Sequence, residues 1–379
     1  MIRFPNPGSD LEYFLKIFKS IFNELNEFDS FNLDDITKVL INKNLASSGG
    51  YIGDKALQIS TRKDRSRDPL YNQSKMYAEL YRHMGWLLPS DKKLNYKFSI
   101  LGYFAYKCEK INQKKFIRQC LLGITFPNVN ILTKSVYSNR PFKTILDITK
   151  RLDNRITRDE IILGPLSIVD DRNPSHIENM VDYILKIRNG YLDINNELIT
   201  KSEKENKSIN TLKNYTRFPI GAMKWANWTN RIREGKNVYF ELTEVGLNDF
   251  SRIENSIDIR ALDIADCSEN EKSNLIKIGL KNLLENADIN NDVFNKILLI
   301  DKKNKQYSKK ILFSPFHSIE ASFFQTKAKT IKDKNSSISF NGENKKRDSL
   351  NFHIGQVNAR KSVLKSNIIK ILKKYLNEL

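Results

Sequence analysis

The stretch MYAELYRHMGWLLPSDKKLNYKFSILGYFAYKC, Met76 to Cys108, has the same order of patterns as GAMKWANWTNRIREGKNVYFELTEVGLNDFSRI, Gly221 to Ile253. Each stretch begins with a helical run that carries aromatic residues. Two apolar runs separated by a polar turn follow, and a glycine then precedes another helical run. Apolar runs bounded by turn residues predict strands. Each stretch therefore predicts a helix, a β-hairpin and a final helix.

This order of elements is that of a winged helix. Gly85 is predicted to stop the first helix and Gly102 to let the second strand turn into the last helix, and Gly246 takes the place of Gly102 in the second stretch. Glycine allows such turns because it adopts backbone conformations that other residues avoid. The sequence predicts a mainly α chain with small β-hairpins, an α+β fold built of tandem winged-helix or helix-turn-helix subdomains.

A segment with a capped short helix lies between the two stretches. Thr157 is followed three residues later by Glu160, which is the pattern of a capping box. Gly164 and Pro165 end that helix, and a long helical pattern runs on to Gly190. These features predict a helix-turn-helix-like core. The predicted domains are 1–135 (a helical region with the first winged helix), 136–200 (the core), 201–325 (the second winged helix and a closing helical segment) and 326–379 (a basic tail with an amphipathic helix).

The charge balance points to a polyanionic partner. The chain of 379 residues has 63 Lys and Arg against 44 Asp and Glu, a formal net charge of +19. Such an excess favours nucleic acid first and an acidic membrane surface second. The alternative is an ordinary basic protein from a lysine-rich proteome. The hydrophobic content of 40% is enough for real cores and argues against a disordered chain.

The basic residues cluster next to the helical patterns, where they could contact double-stranded DNA. Arginine can bond to two acceptors of guanine and asparagine to two groups of adenine, whereas lysines at wing tips, such as Lys92, Lys93 and Lys236, suit phosphates. For any single arginine, an exposed surface charge is the alternative. The predicted DNA-contacting residues are Arg62, Lys63, Arg65, Arg67, Arg82, Asn139, Arg140, Lys143, Arg151, Arg155, Arg158, Arg217, Lys224, Asn227, Asn230 and Arg231.

Other function classes find little support. The three cysteines form no CxxC pair and the four histidines are scattered, so we predict neither a zinc site nor a disulfide framework. No run of 18 apolar residues and no secretory signal is visible, so a cytoplasmic chain without a membrane partner is expected. Trp225 and Trp228 lie three positions apart, and core packing is the favoured role for both.

A catalytic centre is only weakly indicated. Nuclease chemistry at phosphate needs carboxylates on a metal, often with a lysine nearby. Asp301 and Lys303 follow an apolar run, and Asp292 could be their partner, but an Asp-x-Lys sequence arises easily by chance in a lysine-rich chain. Glu241 and Glu244 lie in the second winged stretch, where structural roles are expected. No cofactor is expected for DNA binding, and Mg²⁺ is expected if the chain cleaves.

The stretch from Thr144 to Asn189 resembles the DNA-recognition region of type IIS restriction endonucleases and nicking enzymes, the AlwI-like group. The resemblance rests on ITRDEIIL from Ile156 onward, the helix up to Arg188, and the winged stretches on both sides. Such enzymes add a C-terminal nuclease domain, and the basic segment after position 320 is too short for one. The resemblance therefore implies a recognition subunit working with a separate nuclease, a fragment, or an enzyme with a divergent active site.

Three hypotheses for function follow. The first is sequence-specific binding of an asymmetric duplex site as the recognition part of a restriction system. The second is an intact Mg²⁺-dependent restriction endonuclease, and the third is a transcription or replication-initiation protein, which a symmetric or iterated site would favour. Under the first hypothesis, removing Arg155 and Arg158 should weaken specific binding more than removing Lys92 and Lys93.

Overall fold

The computed structural model of the chain describes residues 1–7, 10–28, 30–45, 47–48, 51–52, 69–90, 95–128, 131, 137–260, 263, 267–289 and 311–312. Its α-helices are α1 Leu11–Leu25, α2 Leu33–Asn42, α3 Pro69–His83, α4 Ile100–Lys107, α5 Lys110–Gly123, α6 Pro141–Arg151, α7 Arg158–Leu163, α8 Pro174–Arg188, α9 Ile194–Glu205, α10 Ile209–Tyr215, α11 Arg217–Trp225, α12 Glu244–Glu254 and α13 Glu269–Asn286. Its strands are β1 Phe31–Asn32, β2 Ser47–Ser48, β3 Tyr51–Ile52, β4 Leu87–Pro89, β5 Asn95–Phe98, β6 Arg155–Thr157, β7 Thr229–Glu234, β8 Asn237–Leu242, β9 Ile257–Asp258 and β10 Ile311–Leu312. The described part is mostly helical with small sheets, which confirms the predicted α+β class.

The first unit, residues 11–107, contains one three-stranded antiparallel sheet. Its strand order is β1-β5-β4, so the strand from the start of the unit lies beside the second strand of the hairpin. Helix α2 begins directly after β1, at a capping box in which the side chains and backbones of Asn32 and Asp35 bond reciprocally. Such a box satisfies backbone donors that the first helical turn leaves without partners.

The second unit, residues 141–254, repeats this plan. Its sheet has the order β6-β8-β7 and is antiparallel, and α7 begins directly after β6. The capping box of Thr157 and Glu160 at that point confirms the sequence prediction. Because β6 pairs with β8, one sheet joins the predicted core to the second winged stretch across the predicted boundary at residue 200. The division into four domains stays a prediction.

Aromatic side chains pack the two units against each other. The ring of Phe218 lies 6.2 Å from that of Phe14 in the first unit and 5.6 Å from that of Phe4 near the N-terminus. Phe142 lies 5.8 Å from Trp228 and 5.7 Å from Phe4. Large aromatic groups contribute heavily to core energetics because each buries a large apolar area. One continuous core therefore holds both units.

The two units also share the turn between the hairpin and the helix that precedes it, which is α3 in the first unit and α11 in the second. Gly85, with φ of 74°, and Asn227, with φ of 58°, end the two helices in the left-handed conformation. The tryptophan that follows each of them is fully buried. The amide of Trp86 donates to the carbonyl of Tyr81, and the amide of Trp228 donates to the carbonyl of Met223. These bonds occupy carbonyls that the helix end would otherwise leave unpaired. The prediction that Gly85 stops its helix is confirmed.

A hydroxyl side chain closes each turn from the other side. The Ser99 hydroxyl donates to the carbonyl of Gly85 and accepts from the amide of Gly102. The Thr243 hydroxyl likewise donates to the carbonyl of Asn227 and accepts from the amide of Gly246. Each hydroxyl therefore links the start of the hairpin to the first turn of the helix that follows it.

The two glycines of this turn have a different role from the predicted one. Gly102 and Gly246 lie inside the first turn of α4 and α12, not at the end of a strand. A Cβ at either position would lie less than 3.0 Å from the carbonyl oxygen of the buried tryptophan, Trp86 or Trp228. Glycine is required there because backbone approaches backbone, a constraint that no turn pattern in the sequence reveals.

Candidate nucleic-acid interface

Helix α11 of the second unit presents two basic side chains to solvent. Phe218, Ala222 and Met223 bury one side of the helix in the core, and this fixes its orientation. Arg217 and Lys224 are exposed on the other side. Seven positions correspond to about two helical turns, so these two side chains lie on one face, about 10 Å apart along the axis.

The hairpin next to α11 adds further cations. Strand β7 is the edge of its sheet, and Asn230, Arg231 and Arg233 on it are exposed. Lys236 is exposed in the turn, beside Gly235 with φ of 58°. Charged residues on an edge strand also prevent edge-to-edge pairing with other chains. The additional exposed cations of α11, which packs against β7, favour a binding surface over simple edge protection.

Most of these cations have no acidic partner. In the part of the chain that the structure describes, no carboxylate lies within 4.0 Å of the charged groups of Arg217, Lys224, Arg231 or Lys236. The same holds for Arg158, which is exposed at the start of α7. We name this set of exposed residues the basic face: Arg158, Arg217, Lys224, Asn227, Asn230, Arg231, Arg233 and Lys236. Unpaired exposed cations remain available to an external anion such as phosphate.

Arg155 differs from the cations of the basic face because it forms ion pairs with two carboxylates. Its Nε lies 2.8 Å from Oε1 of Glu241, and its Nη1 lies 2.6 Å from Oε1 of Glu234. The hydrogen bond to Glu241 and the charge of Glu234 raise the pKa of the guanidinium. Glu241 was expected to have a structural role, and it serves here as a cross-strand partner of a predicted DNA contact.

Asn139 and Arg140, two of the predicted DNA contacts, are buried, which is a correction to the sequence prediction. Both side chains belong to residues with no exposed surface. The Asn139 amide donates to the carbonyl of Ile168. The Arg140 guanidinium donates to the carbonyl of Leu122 and to Asp258. An arginine can be buried when charged and carbonyl oxygens satisfy its donors, and a partner 118 positions away leaves no local signal.

Arg140 belongs to a buried ionic cluster that the sequence does not predict. Asp258 also bonds to Arg260, which pairs with Asp171 at 2.7 Å. Lys143 lies 3.9 Å from Asp171 and 3.8 Å from Asp258, so this predicted DNA contact faces carboxylates. Burial alone would raise the pKa of Asp258, but the guanidinium groups of Arg140 and Arg260 outweigh burial and hold it well below the usual range. The cluster joins α6 to β9 and is structural.

Two further predicted contacts have partners within the protein. Arg151 is exposed and pairs with Asp147 one helical turn away, at 2.7 Å. Arg82 of the first unit is half-buried, donates to the carbonyl of Ala78, and lies over the ring of Tyr96 at 5.1 Å. Lys75, exposed on the same helix, was not among the predicted DNA contacts. Its counterpart in the second unit is Arg217, so comparing the two stretches residue by residue could have identified it.

Several predicted residues lie outside the described part of the chain. These are Arg62, Lys63, Arg65 and Arg67, the wing-tip residues Lys92 and Lys93, and the catalytic candidates Asp292, Asp301 and Lys303. Among the described residues, no group of three or more His, Cys, Asp or Glu side chains is placed to hold a metal ion. The described helices include none long and apolar enough to span a membrane.

The remaining aromatic and histidine predictions concern the core. Trp228 is fully buried, as predicted, and its indole nitrogen donates to Asp249 at 2.8 Å. Trp225 is half-buried, and Lys114 lies over its ring at 5.9 Å. His83 packs between Phe4 and Phe126, and burial lowers its pKa to about 3. A histidine that stays neutral in the core does not contribute to the basic face.

Comparisons with solved structures include a weak likeness. No family of proteins and no curated protein matches the sequence. Among solved structures, the chain is similar to the BpuJ1 endonuclease binding domain in its crystal structure with pyrene- and phenanthrene-modified DNA. The identity is 13%, the TM-score is 0.42, and the match covers 66% of this chain and 84% of that chain. A TM-score at this level establishes neither a common fold nor a common function.

Proposed function

We propose that this chain binds double-stranded DNA in a sequence-specific manner, as the recognition part of a type II, IIS-like restriction endonuclease system. The observation that carries the proposal is the basic face of the second unit. Five of its exposed cations lie on α11 and the adjoining hairpin and a sixth lies at the start of α7, and none of the six has an acidic partner among the described residues. The net charge of +19 supports a polyanionic ligand.

The topology supports assigning a winged helix to each unit. Both units have the order helix, strand, helix, then a further helix and a hairpin, and both sheets place the first strand beside the second hairpin strand. In the second unit, α8, α9 and α10 lie between the second helix and α11. The major groove of B-DNA is wide enough for one α-helix. We assign base contacts to α11 and phosphate contacts to Arg231, Arg233 and Lys236 of the hairpin.

The restriction-system part of the proposal rests on the sequence resemblance between Thr144 and Asn189. A separate nuclease is the partner that this role requires, and DNA binding itself needs no metal or other cofactor. Cleavage by the chain alone would require Mg²⁺ and a centre such as Asp292, Asp301 and Lys303. Plasmid DNA incubated with the purified chain and Mg²⁺ tests this point: specific cuts would replace the binding-only role by that of a complete endonuclease.

The binding surface is tested by removing its charges. We expect Arg217→Ala, Lys224→Ala, Arg231→Ala and Arg233→Ala together to weaken duplex binding by roughly a hundredfold or more, because each lost cation removes about one phosphate or base contact. Fluorescence anisotropy over a salt series should show a shallower dependence of log Kd on log salt, by about 0.9 for each lost phosphate contact.

The matched control removes four exposed lysines elsewhere, Lys110, Lys186, Lys204 and Lys207. It subtracts the same net charge, so a general charge effect would weaken both proteins equally. Equal losses, or no duplex binding by the unmodified chain at low salt, would refute the proposal. Selection of the bound site from a random duplex library separates the alternatives, since a symmetric or iterated site favours an initiation or transcription protein.

A further inference from the structure

The second unit uses two of its carboxylates to hold one arginine. Arg155, Glu241 and Asn230 are cross-strand neighbours in the sheet, so their side chains lie on the same face. Glu234, near the hairpin turn, reaches the same guanidinium. Arg217, Lys224 and Arg231 have no such partner among the described residues. Glu234 and Glu241 are therefore both paired with Arg155, and neither is paired with a cation of the basic face.

We propose that Glu234 and Glu241 are specificity-determining residues that suppress binding to random duplex by withholding Arg155 from phosphate. This inference rests on the proposed function. All three side chains are partly exposed, 39% for Arg155, 52% for Glu234 and 31% for Glu241, so a duplex can reach them. A phosphate that approaches Arg155 meets two negative charges and must displace both carboxylates from the guanidinium.

The position of Arg155 makes this effect larger for random DNA than for the specific site. Its strand β6 and the edge strand β7 lie on opposite sides of β8. Arg155 shares a face of the sheet with Asn230 and Glu241, whereas Arg231, the next residue of β7, pairs with Phe240 and lies on the opposite face. In the specific complex the base contacts of α11 fix the duplex beside Arg231 and Arg233, on the face of the sheet opposite to Arg155.

Random duplex has no such fixed pose. Binding without base readout depends on phosphate contacts, and the duplex settles wherever it meets the most cations. A released Arg155 adds a cation to those poses and little to the specific one. Discrimination is the ratio of the two affinities, so strengthening the random complex alone lowers it.

The test replaces both carboxylates by amides, Glu234→Gln with Glu241→Gln, in the full chain. We expect the affinity for a random duplex to rise roughly fivefold to tenfold and its salt dependence to steepen by about 0.9, the effect of one added phosphate contact. The affinity for the site recovered by selection should rise less than twofold. The control, Glu203→Gln with Glu254→Gln, removes two exposed carboxylates elsewhere and should leave the ratio unchanged.

A triple variant tests whether the gain in affinity for random duplex depends on Arg155. When Arg155→Gln is combined with the two amide substitutions, the gain on random duplex should vanish. The inference is overturned if the gain persists without Arg155, if the control shows the same gain, or if both duplexes gain equally. Failure of the unmodified chain to bind any duplex at low salt would instead refute the proposed function itself, and this inference with it. Equal thermal unfolding midpoints of the variants and the unmodified chain exclude a folding defect as the cause of any change in affinity.

Discussion

The first and second units build the same turn at the end of the helix that precedes the hairpin, α3 or α11, but present different side chains from that helix. With the buried tryptophans aligned, Lys75 of the first unit corresponds to Arg217 and Arg82 corresponds to Lys224. Between these cations the first unit has Glu79, where the second unit has Gly221. Arg82 lies over Tyr96, whereas Lys224 is exposed. The buried turn is constant, and the surface of the helix varies.

This difference in surface charge gives the two helices different affinities for phosphate. A carboxylate between two cations repels a phosphate that those cations would attract. A glycine at the same position removes the side chain and lets the helix backbone come close to a ligand, at a cost in helix stability of about 1 kcal/mol relative to alanine. We therefore expect α11, and not α3, to contact DNA.

The largest expected effect concerns the ionic cluster, which joins the second unit to the residues that flank it, Arg140, Asp258 and Arg260. Among described residues, the first unit contains no buried arginine. Asp258→Asn removes the carboxylate that pairs with the buried Arg140 and leaves Arg260 with Asp171 alone, so it should lower the free energy of unfolding at pH 7 by about 3–5 kcal/mol. Urea denaturation measures this loss, and a change below 1 kcal/mol would contradict the role of the cluster.

The same cluster predicts a pH dependence. The pKa of Asp258 is lower in the folded chain than in the unfolded chain, where it is about 3.9. Its contribution to stability is therefore complete above that unfolded-state value and is lost as the pH falls below about 4. The difference in unfolding free energy between the wild type and Asp258→Asn should shrink between pH 5 and pH 3.

The next effect tests whether the turn is equivalent in the two units. Gly102→Ala and Gly246→Ala each place a Cβ against the carbonyl of a buried tryptophan, so each should destabilise the chain by about 2–3 kcal/mol. Ser251→Ala, at an exposed position of α12, is the control and should stay within about 0.5 kcal/mol of wild type. Thermal and urea unfolding measure the stability of each variant. The two turns are not equivalent if only one of the two glycine substitutions lowers it.

The smallest expected effect is the change in duplex affinity when the two helices exchange the residue at one surface position, Glu79 or Gly221. Gly221→Glu gives α11 the carboxylate of the first unit and should weaken duplex binding by about tenfold, or 1.4 kcal/mol, through repulsion of phosphate. Glu79→Gly in α3 should change binding by less than twofold. Anisotropy titrations with the same duplex compare the two variants. A stronger effect from Glu79→Gly would assign DNA contact to the first unit.

Local patterns predict much of this fold, because a helix, a cap or a hairpin depends on residues that are close in sequence. The capping box at Thr157, the helix stop at Gly85 and the two hairpins are of this kind. The pairing of β6 with β8 is different, since five α-helices separate the two strands in the sequence and no periodicity records their register. The merging of the predicted core with the second hairpin could not be read from the sequence for that reason.

The candidate site shows the same limit for charges. Arg140 and Arg217 both precede apolar helical residues, yet one is buried and the other is exposed. The difference depends on Asp258, which is distant in sequence and meets Arg140 only in the folded chain. The basic composition predicts a surface for polyanions, but which arginines form it depends on long-range packing.

The shared turn also has a consequence for tracing related proteins. Its parts are a tryptophan after a left-handed residue and, beyond a hairpin of variable length, Ser or Thr followed three positions later by glycine. All of these residues are constrained by contacts inside the protein and not by any ligand, so they should change more slowly than the surface of the helix. A search for this gapped signature could find homologous modules in genomes where overall alignment fails, whatever ligand each module binds.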